Sequence, residues 1–106
     1  MAEAKVLSEA TFDEAVASGV TLVDFGATWC GPCKVLGELI AQQVMPELGD
    51  SAAFATVDVG DEPGLAARFE VFSVPALIVF KDGEEFARLE GFQKPDAVLA
   101  AVRGAL

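Results

Sequence analysis

The sequence of 106 residues contains no histidine, and this absence excludes several kinds of functional site at once. Without an imidazole, the chain has no histidine general acid or base, no histidine metal ligand and no histidine pH sensor. Basic residues are also few: the chain has seven lysines and arginines, which form no basic stripe, and 17 acidic residues. The net charge of −10 therefore argues against nucleic acid as a partner. Such a charge favours solubility and leaves open electrostatic steering toward basic faces of partner proteins.

Long apolar runs and cysteines are scarce as well. No stretch approaches the roughly 20 apolar residues of a membrane span. The first residues lack the apolar core of a signal peptide and carry Glu3 where such a peptide is basic. We therefore expect a cytoplasmic protein without membrane attachment, in a compartment that keeps thiols reduced. Two cysteines in that setting are more typical of redox or metal chemistry than of a permanent crosslink.

The apolar content of 53% is enough for one hydrophobic core, so we expect a single domain over residues 1–106 rather than a small fold held by disulfides. The pattern of apolar segments predicts an α/β fold with the order βαβαβαββα. Strands separated by helices favour parallel pairing, and an Asp82-Gly83 turn adds an antiparallel edge, so we expect one mixed sheet with helices on both faces. The predicted strands include residues 20–25, 52–59, 74–80 and 85–90. Two predicted helices cover residues 11–18 and 30–44, and two more begin near residues 61–63 and at residue 95.

Local signals predict where the helices begin and end. Thr11 and Glu14 have the spacing of a capping box, in which the threonine side chain caps the first helix. Gly19 should follow the end of that helix. Pro46 should kink or restart the long helix, and Pro63 suits the first position of the next one.

Cys30 and Cys33 lie where a buried strand gives way to a helix. This spacing brings two sulfurs close enough for a disulfide without backbone rearrangement. The first cysteine is then at the helix N-terminus, where free N–H groups and the helix dipole favour a thiolate, the nucleophile in disulfide exchange. Pro32 suits the first helical turn because it has no N–H to lose, and Gly31 leaves the approach open to a substrate disulfide.

We expect Cys30 to attack a target disulfide and Cys33, one turn further along and less exposed, to resolve the mixed disulfide. Resolution requires a proton acceptor, and Asp24, six residues before Cys30 in an apolar strand, is the nearby candidate. Desolvation should raise the pKa of its carboxyl, which suits a proton shuttle. The alternative is an ordinary aspartate at a strand end or in the core, held by hydrogen bonds.

Other interpretations of the cysteine pair remain open from the residues alone. A structural zinc site needs four ligands, and this pair supplies two, so a metal would require a partner chain. A purely structural disulfide across four residues would constrain little of the unfolded chain. Inert buried thiols would leave the Gly-Pro insert and the flanking tryptophan unexplained.

The six residues from Trp29 to Lys34, Trp-Cys-Gly-Pro-Cys-Lys, resemble the active-site sequence of thioredoxins, and the similarity covers nearly the whole chain. It implies a thioredoxin fold, a central mixed sheet of about five strands flanked by about four helices. Asp24 resembles the family's buried aspartate, Val74-Pro75 its cis-proline element, and Gly91 a glycine bordering the substrate groove. The resemblance implies catalytic roles for Cys30, Cys33 and Asp24, and a shallow substrate groove formed by Trp29, Gly31, Pro32, Val74, Pro75, Gly91 and Phe92.

For the groove residues, an ordinary trans Pro75 at a strand start and core packing of Trp29 and Phe92 are the alternatives. The resemblance also implies a protein-disulfide reductase that acts on disulfide-containing target proteins. Such a protein is itself reduced by a thioredoxin reductase, binds no metal or cofactor of its own and is a monomer. Two other functions remain open: a binding module that uses the groove without redox chemistry, and a disulfide oxidant.

Three departures from the family pattern stand near the predicted site. Gly26 occupies a position where most members have tryptophan, Thr56 one where many have lysine, and Glu38 one where many have proline. Without that lysine, desolvation of Asp24 is less compensated, so we predict a more strongly raised pKa for its carboxyl.

Overall fold

A five-stranded mixed sheet forms the centre of the structure, a computed structural model that describes residues 4–106. The strands lie in the order β1-β3-β2-β4-β5. The mixed α/β architecture and the element order predicted from the sequence are confirmed. The strands are β1 Lys5–Val6, β2 Val20–Gly26, β3 Ala53–Asp58, β4 Ala76–Lys81 and β5 Glu84–Glu90.

Residues 4–106 form four helical segments, one of which joins several helices end to end. The longest segment runs from α2 through a π-helical turn into α3, where the Met45 N–H donates to the Ile40 carbonyl. Pro46 lies in the first turn of α3, so the predicted restart at this proline is confirmed. The bounds are α1 Phe12–Val16, α2 Gly31–Leu39, the π-helical turn Ile40–Val44, α3 Met45–Leu48, α4 Pro63–Arg68 and α5 Pro95–Arg103.

The direction of β4 differs from the expectation. β1 and β2 both pair with β3 in parallel, but β4 pairs antiparallel with β2, even though α4 precedes it. A helix of six residues spans about 9 Å, whereas a strand of six residues spans about 20 Å. Because α4 is too short to carry the chain back along the length of the sheet, β4 begins at the same end of the sheet at which β3 finishes. Ala76 therefore lies opposite Phe25, which brings the residues before β4 to the end of β2.

The predicted capping box at Thr11 is wrong. In the part of the chain that the structure describes, Thr11 precedes α1 without a side-chain bond to the helix. Its Oγ1 accepts instead from the N–H of Ser8 at 3.0 Å, in the turn that leads into the helix. α1 ends at Val16, and Gly19 follows with a φ of +73°, a left-handed conformation that glycine adopts without strain.

Alternate side chains of β2 enter different halves of the core, because successive residues of a strand face opposite sides of the sheet. Leu22 packs on the side covered by α2 and α5, and Val23 and Phe25 pack on the side covered by α1 and α4. Asp24 has the same orientation as Leu22, so its carboxyl lies under α2. The first half of the core includes Leu22, Leu36, Ile40, Leu77, Val98 and Val102, and the second includes Phe12, Val23, Phe25, Leu65, Ile78 and Phe80.

Candidate active site

The two cysteines are joined by a disulfide at the N-terminus of α2. Cys30 is the N-cap residue of the helix, and the Cα atoms of Cys30 and Cys33 are 5.3 Å apart. The backbone N–H of Cys33 donates to Cys30 Sγ at 3.2 Å. Pro32 occupies the first turn, where its missing N–H leaves no helical hydrogen bond unmade.

This geometry stabilises negative charge on the sulfur of Cys30. When the pair is reduced, a thiolate at this position faces the positive end of the helix dipole and a backbone N–H that already points at Sγ. In the disulfide form the two residues are similarly buried, with exposed fractions of 9% for Cys30 and 7% for Cys33. The order agrees with the expectation that Cys33 is less exposed, although the difference is small.

Asp24 is a buried carboxyl with few compensating contacts. Its side chain lies under α2, where a Cβ at Gly37 would be 3.6 Å from Asp24 Oδ2. Its Oδ1 is buried without a hydrogen-bond partner among residues 4–106. Its neighbour in β3 is Thr56, so no ammonium faces it from that register position. Burial raises the pKa of Asp24 from 3.8 to about 7, in the direction predicted from the sequence.

The second wall of the site comes from the loop before β4. The Val74–Pro75 peptide bond is cis, as the resemblance predicts, and the alternative of a trans proline is excluded. The Pro75 carbonyl accepts from the Gly91 N–H at 2.9 Å, which ties the end of β5 to this loop. Ala76, the first residue of β4, pairs with Phe25 near the end of β2. Pro75 and Gly91 therefore lie at the same end of the strands as the loop that carries the cysteines.

Aromatic side chains at this end of the strands are exposed. Trp29 is 76% exposed and Phe92 49%, so plain core packing does not describe either residue. Phe72, absent from the residues that the sequence suggested, is 87% exposed and lies three residues before Pro75. A signal for Phe72 was present in the sequence, because it stands in a turn segment outside the strand alternation that places the core phenylalanines. Each exposed aromatic residue therefore stands in a segment that forms the site: Trp29 directly precedes Cys30, and Phe92 directly follows Gly91.

Residues 4–106 contain neither a cluster of metal ligands nor a membrane-spanning helix. No three potential acidic or thiol ligands in this range lie close enough together to hold a metal ion. None of the helices in this range is both long and apolar enough to cross a bilayer.

Comparison with known proteins gives a consistent result. The family model described as Thioredoxin matches residues 3–104. The thioredoxin of Staphylococcus haemolyticus is 47% identical over 102 residues, which are 96% of this chain and 95% of the relative, and a Staphylococcus aureus thioredoxin is 46% identical over the same shares. The solved thioredoxin of Malassezia sympodialis has a TM-score of 0.86 at 30% identity, covering 99% of this chain and 92% of the other. A mutant thioredoxin of Halobacterium salinarum has a TM-score of 0.82 at 32% identity, covering 97% and 90%.

Proposed function

The chain belongs to the thioredoxin family of thiol–disulfide oxidoreductases, and on that premise we propose that it works as a protein-disulfide reductase. It would donate electrons to disulfide-containing target proteins and be reduced in turn by a thioredoxin reductase. The observation that carries this proposal is the cysteine pair at the N-terminus of α2, with the Cys33 N–H directed at Cys30 Sγ. This arrangement favours a thiolate at Cys30, and a thiolate is what begins the exchange.

The proposed reaction has two exchange steps. In the first, the Cys30 thiolate attacks one sulfur of the target disulfide, the target S–S bond breaks, and the displaced sulfur leaves as a thiolate that takes up a proton. In the second, Cys33 loses its proton and attacks Cys30 Sγ, so the bond to the target breaks and the Cys30–Cys33 disulfide forms. The target gains two electrons and two protons, and the cysteine pair loses two electrons.

Asp24 is the proposed acceptor of the Cys33 proton. Asp24 is buried under α2, and both Asp24 and Cys33 line the same cleft, which supports this role. A pKa of about 7 lets the group take up and release a proton near neutral pH. In the proposed order Cys30 attacks the target first and Cys33 acts second, so the buried carboxyl serves the second step.

A shallow groove around the disulfide is proposed to hold the target segment. The proline loop supplies a backbone carbonyl and N–H at Val74 for pairing with an extended peptide. Gly31 leaves room for the target beside Cys30, and Phe72 extends the apolar wall formed by the other aromatic residues. The proposed groove consists of Trp29, Gly31, Pro32, Phe72, Val74, Pro75, Gly91 and Phe92.

The remaining expectations form part of the same proposal. We propose that residues 1–106 act as one thioredoxin domain and as a monomer. A cytoplasmic location is proposed because a reductant needs a compartment whose thiols are kept reduced. The net charge of −10 supports partners with basic surfaces near their disulfides.

Reduction of insulin disulfides, driven by dithiothreitol and followed by turbidity, tests the proposal. Cys30→Ser should abolish the activity, and Cys33→Ser should accumulate a mixed disulfide with the target that a reductant releases. Ala97→Ser, on the exposed face of α5, is the control for a serine substitution. Insulin reduction that survives Cys30→Ser would overturn the assignment of the nucleophile.

A further inference from the structure

An open cleft of about 580 Å³ lies beside Cys33. It runs between α2 and the ends of β2 and β3, and its lining includes Cys33 and Asp24. Among the described residues, the aromatic and proline-loop residues of the proposed groove do not line it. Its volume lies within the range of about 300–1,000 Å³ that is typical of small-molecule sites.

Small residues create the space in the cleft. Gly26 and Gly37 both line it, and neither has a side chain to fill it. A Cβ at Gly26 would be 3.2 Å from the Cβ of Cys33, so any side chain there would project into the cleft beside that cysteine. Ala41 and Thr56 add short side chains to the walls. The departure of the sequence from the family pattern at Gly26 thus coincides with an open volume.

The walls of the cleft are apolar. Phe54 of β3 lines the cleft from the sheet, on the same face as Asp24, and Ala27 and Ala41 contribute methyl groups. An apolar ring placed there would remove this surface from water, which is the main source of affinity in small-molecule sites.

Charge around the cleft has one predominant sign. Among the residues that the structure describes, the carboxylates of Glu38, Asp58 and Asp61 line it, and Lys34 supplies the one ammonium. The carboxyl of Asp24 lies deeper, where Oδ1 has no hydrogen-bond partner in the described part of the chain. An unpaired buried carboxyl oxygen and an acidic rim both favour a ligand that carries hydrogen-bond donors and positive charge.

We propose that this cleft binds a small aromatic cation, such as an arylalkylamine, with the ring against the glycine walls and the ammonium group toward the carboxylates. An aromatic ring fits the cleft because the walls are apolar and the space is bounded by backbone. The charge selects the cation over a neutral or anionic analogue. The proposal concerns binding alone and does not depend on the direction of electron flow through the cysteine pair.

Three probes with the same ring test the charge selection: tryptamine, indole and indole-3-acetate. Each would be titrated into the oxidised, ¹⁵N-labelled protein, and amide chemical shifts would be followed. We expect saturable shifts at Gly26, Glu38 and Thr56, with tryptamine binding at least about fivefold more tightly than indole-3-acetate. Equal affinity for the cation and the anion would overturn the proposed ligand class. No saturable shift with any probe would overturn the site.

Variants of the chain test the location. Gly26→Trp should fill the cleft and abolish tryptamine binding, and Ala41→Phe should do so from the π-helical turn, away from Cys33, in case the first variant does not fold. Ala97→Trp adds the same side chain on the exposed face of α5 and should leave binding unchanged. Glu38→Gln combined with Asp61→Asn should weaken tryptamine about threefold to tenfold and leave indole unaffected. Full binding in both filled variants would overturn the location.

Discussion

Replacing Asp24 with asparagine should stabilise the oxidised protein at alkaline pH. Asp24 is 5% exposed, and its Oδ1 has no hydrogen-bond partner among residues 4–106, so ionisation of this carboxyl in the folded state is costly. Asparagine keeps the shape of the side chain and cannot ionise. The variant therefore removes the cost of a buried charge without opening a cavity.

The magnitude follows from the pKa of Asp24, which burial raises from 3.8 to about 7. The gap is roughly three pH units, and each unit corresponds to about 1.4 kcal/mol. Below pH 4 the carboxyl is neutral in both the folded and the unfolded chain. Between about pH 4 and pH 7 only the carboxyl of the unfolded chain ionises, so the folded state progressively loses stability, about 4 kcal/mol in total from this one group by the time the pH passes 7.

Urea unfolding from pH 3.5 to 9, with the disulfide intact, measures the effect. The free energy of unfolding of Asp24→Asn should match that of the parent protein near pH 3.5 and exceed it by about 4 kcal/mol above pH 8. Asp50→Asn, in an exposed turn, is the control for the loss of one negative charge. A difference below about 1 kcal/mol at pH 8.5 would refute the account of Asp24 as an uncompensated buried carboxyl.

Substitutions at three further residues test other parts of the structure. Phe72→Ser should raise the KM for insulin about threefold to tenfold with little change in kcat, because it removes apolar surface from the proposed groove; an unchanged KM would place Phe72 outside the groove. Arg88→Met should lower the free energy of unfolding by about 1–2 kcal/mol in urea, since Arg88 Nη2 donates to the Phe69 carbonyl at 2.7 Å. Glu70→Gly should raise it by up to about 1 kcal/mol, because Glu70 has a φ of +54°, whereas Glu70→Ala should bring no gain.

The sequence predicted the placement of the cysteine pair and of Asp24 on their secondary-structure elements, because the signals for these placements are local. The spacing of Cys30 and Cys33 and the position of Pro32 define a helix N-terminus within four residues. The apolar run that ends at Phe25 makes a buried strand, and that strand fixes Asp24 beneath the same helix. Each of these inferences needs only a short stretch of chain, and each of these placements agrees with the structure.

Features that depend on distant parts of the chain were predicted less well. The antiparallel direction of β4 depends on the short length of α4, which the alternation of strands and helices does not express. One local signal also failed: Thr11 has the capping-box spacing, but its Oγ1 accepts from the N–H of Ser8, only three residues earlier. Gly26 of β2 and Gly37 of α2 line the same cleft, and no local pattern relates a glycine of a strand to one of a helix.

The reduction potential of the Cys30–Cys33 pair is the most direct test of the proposed reductase function. It can be measured by equilibrating the protein with a glutathione or dithiothreitol series and trapping free thiols. The account predicts a potential of about −270 mV, the value known for thioredoxins as a family. A potential of about −120 to −180 mV, typical of oxidising exchange proteins, would contradict the account and reverse the proposed direction of electron flow.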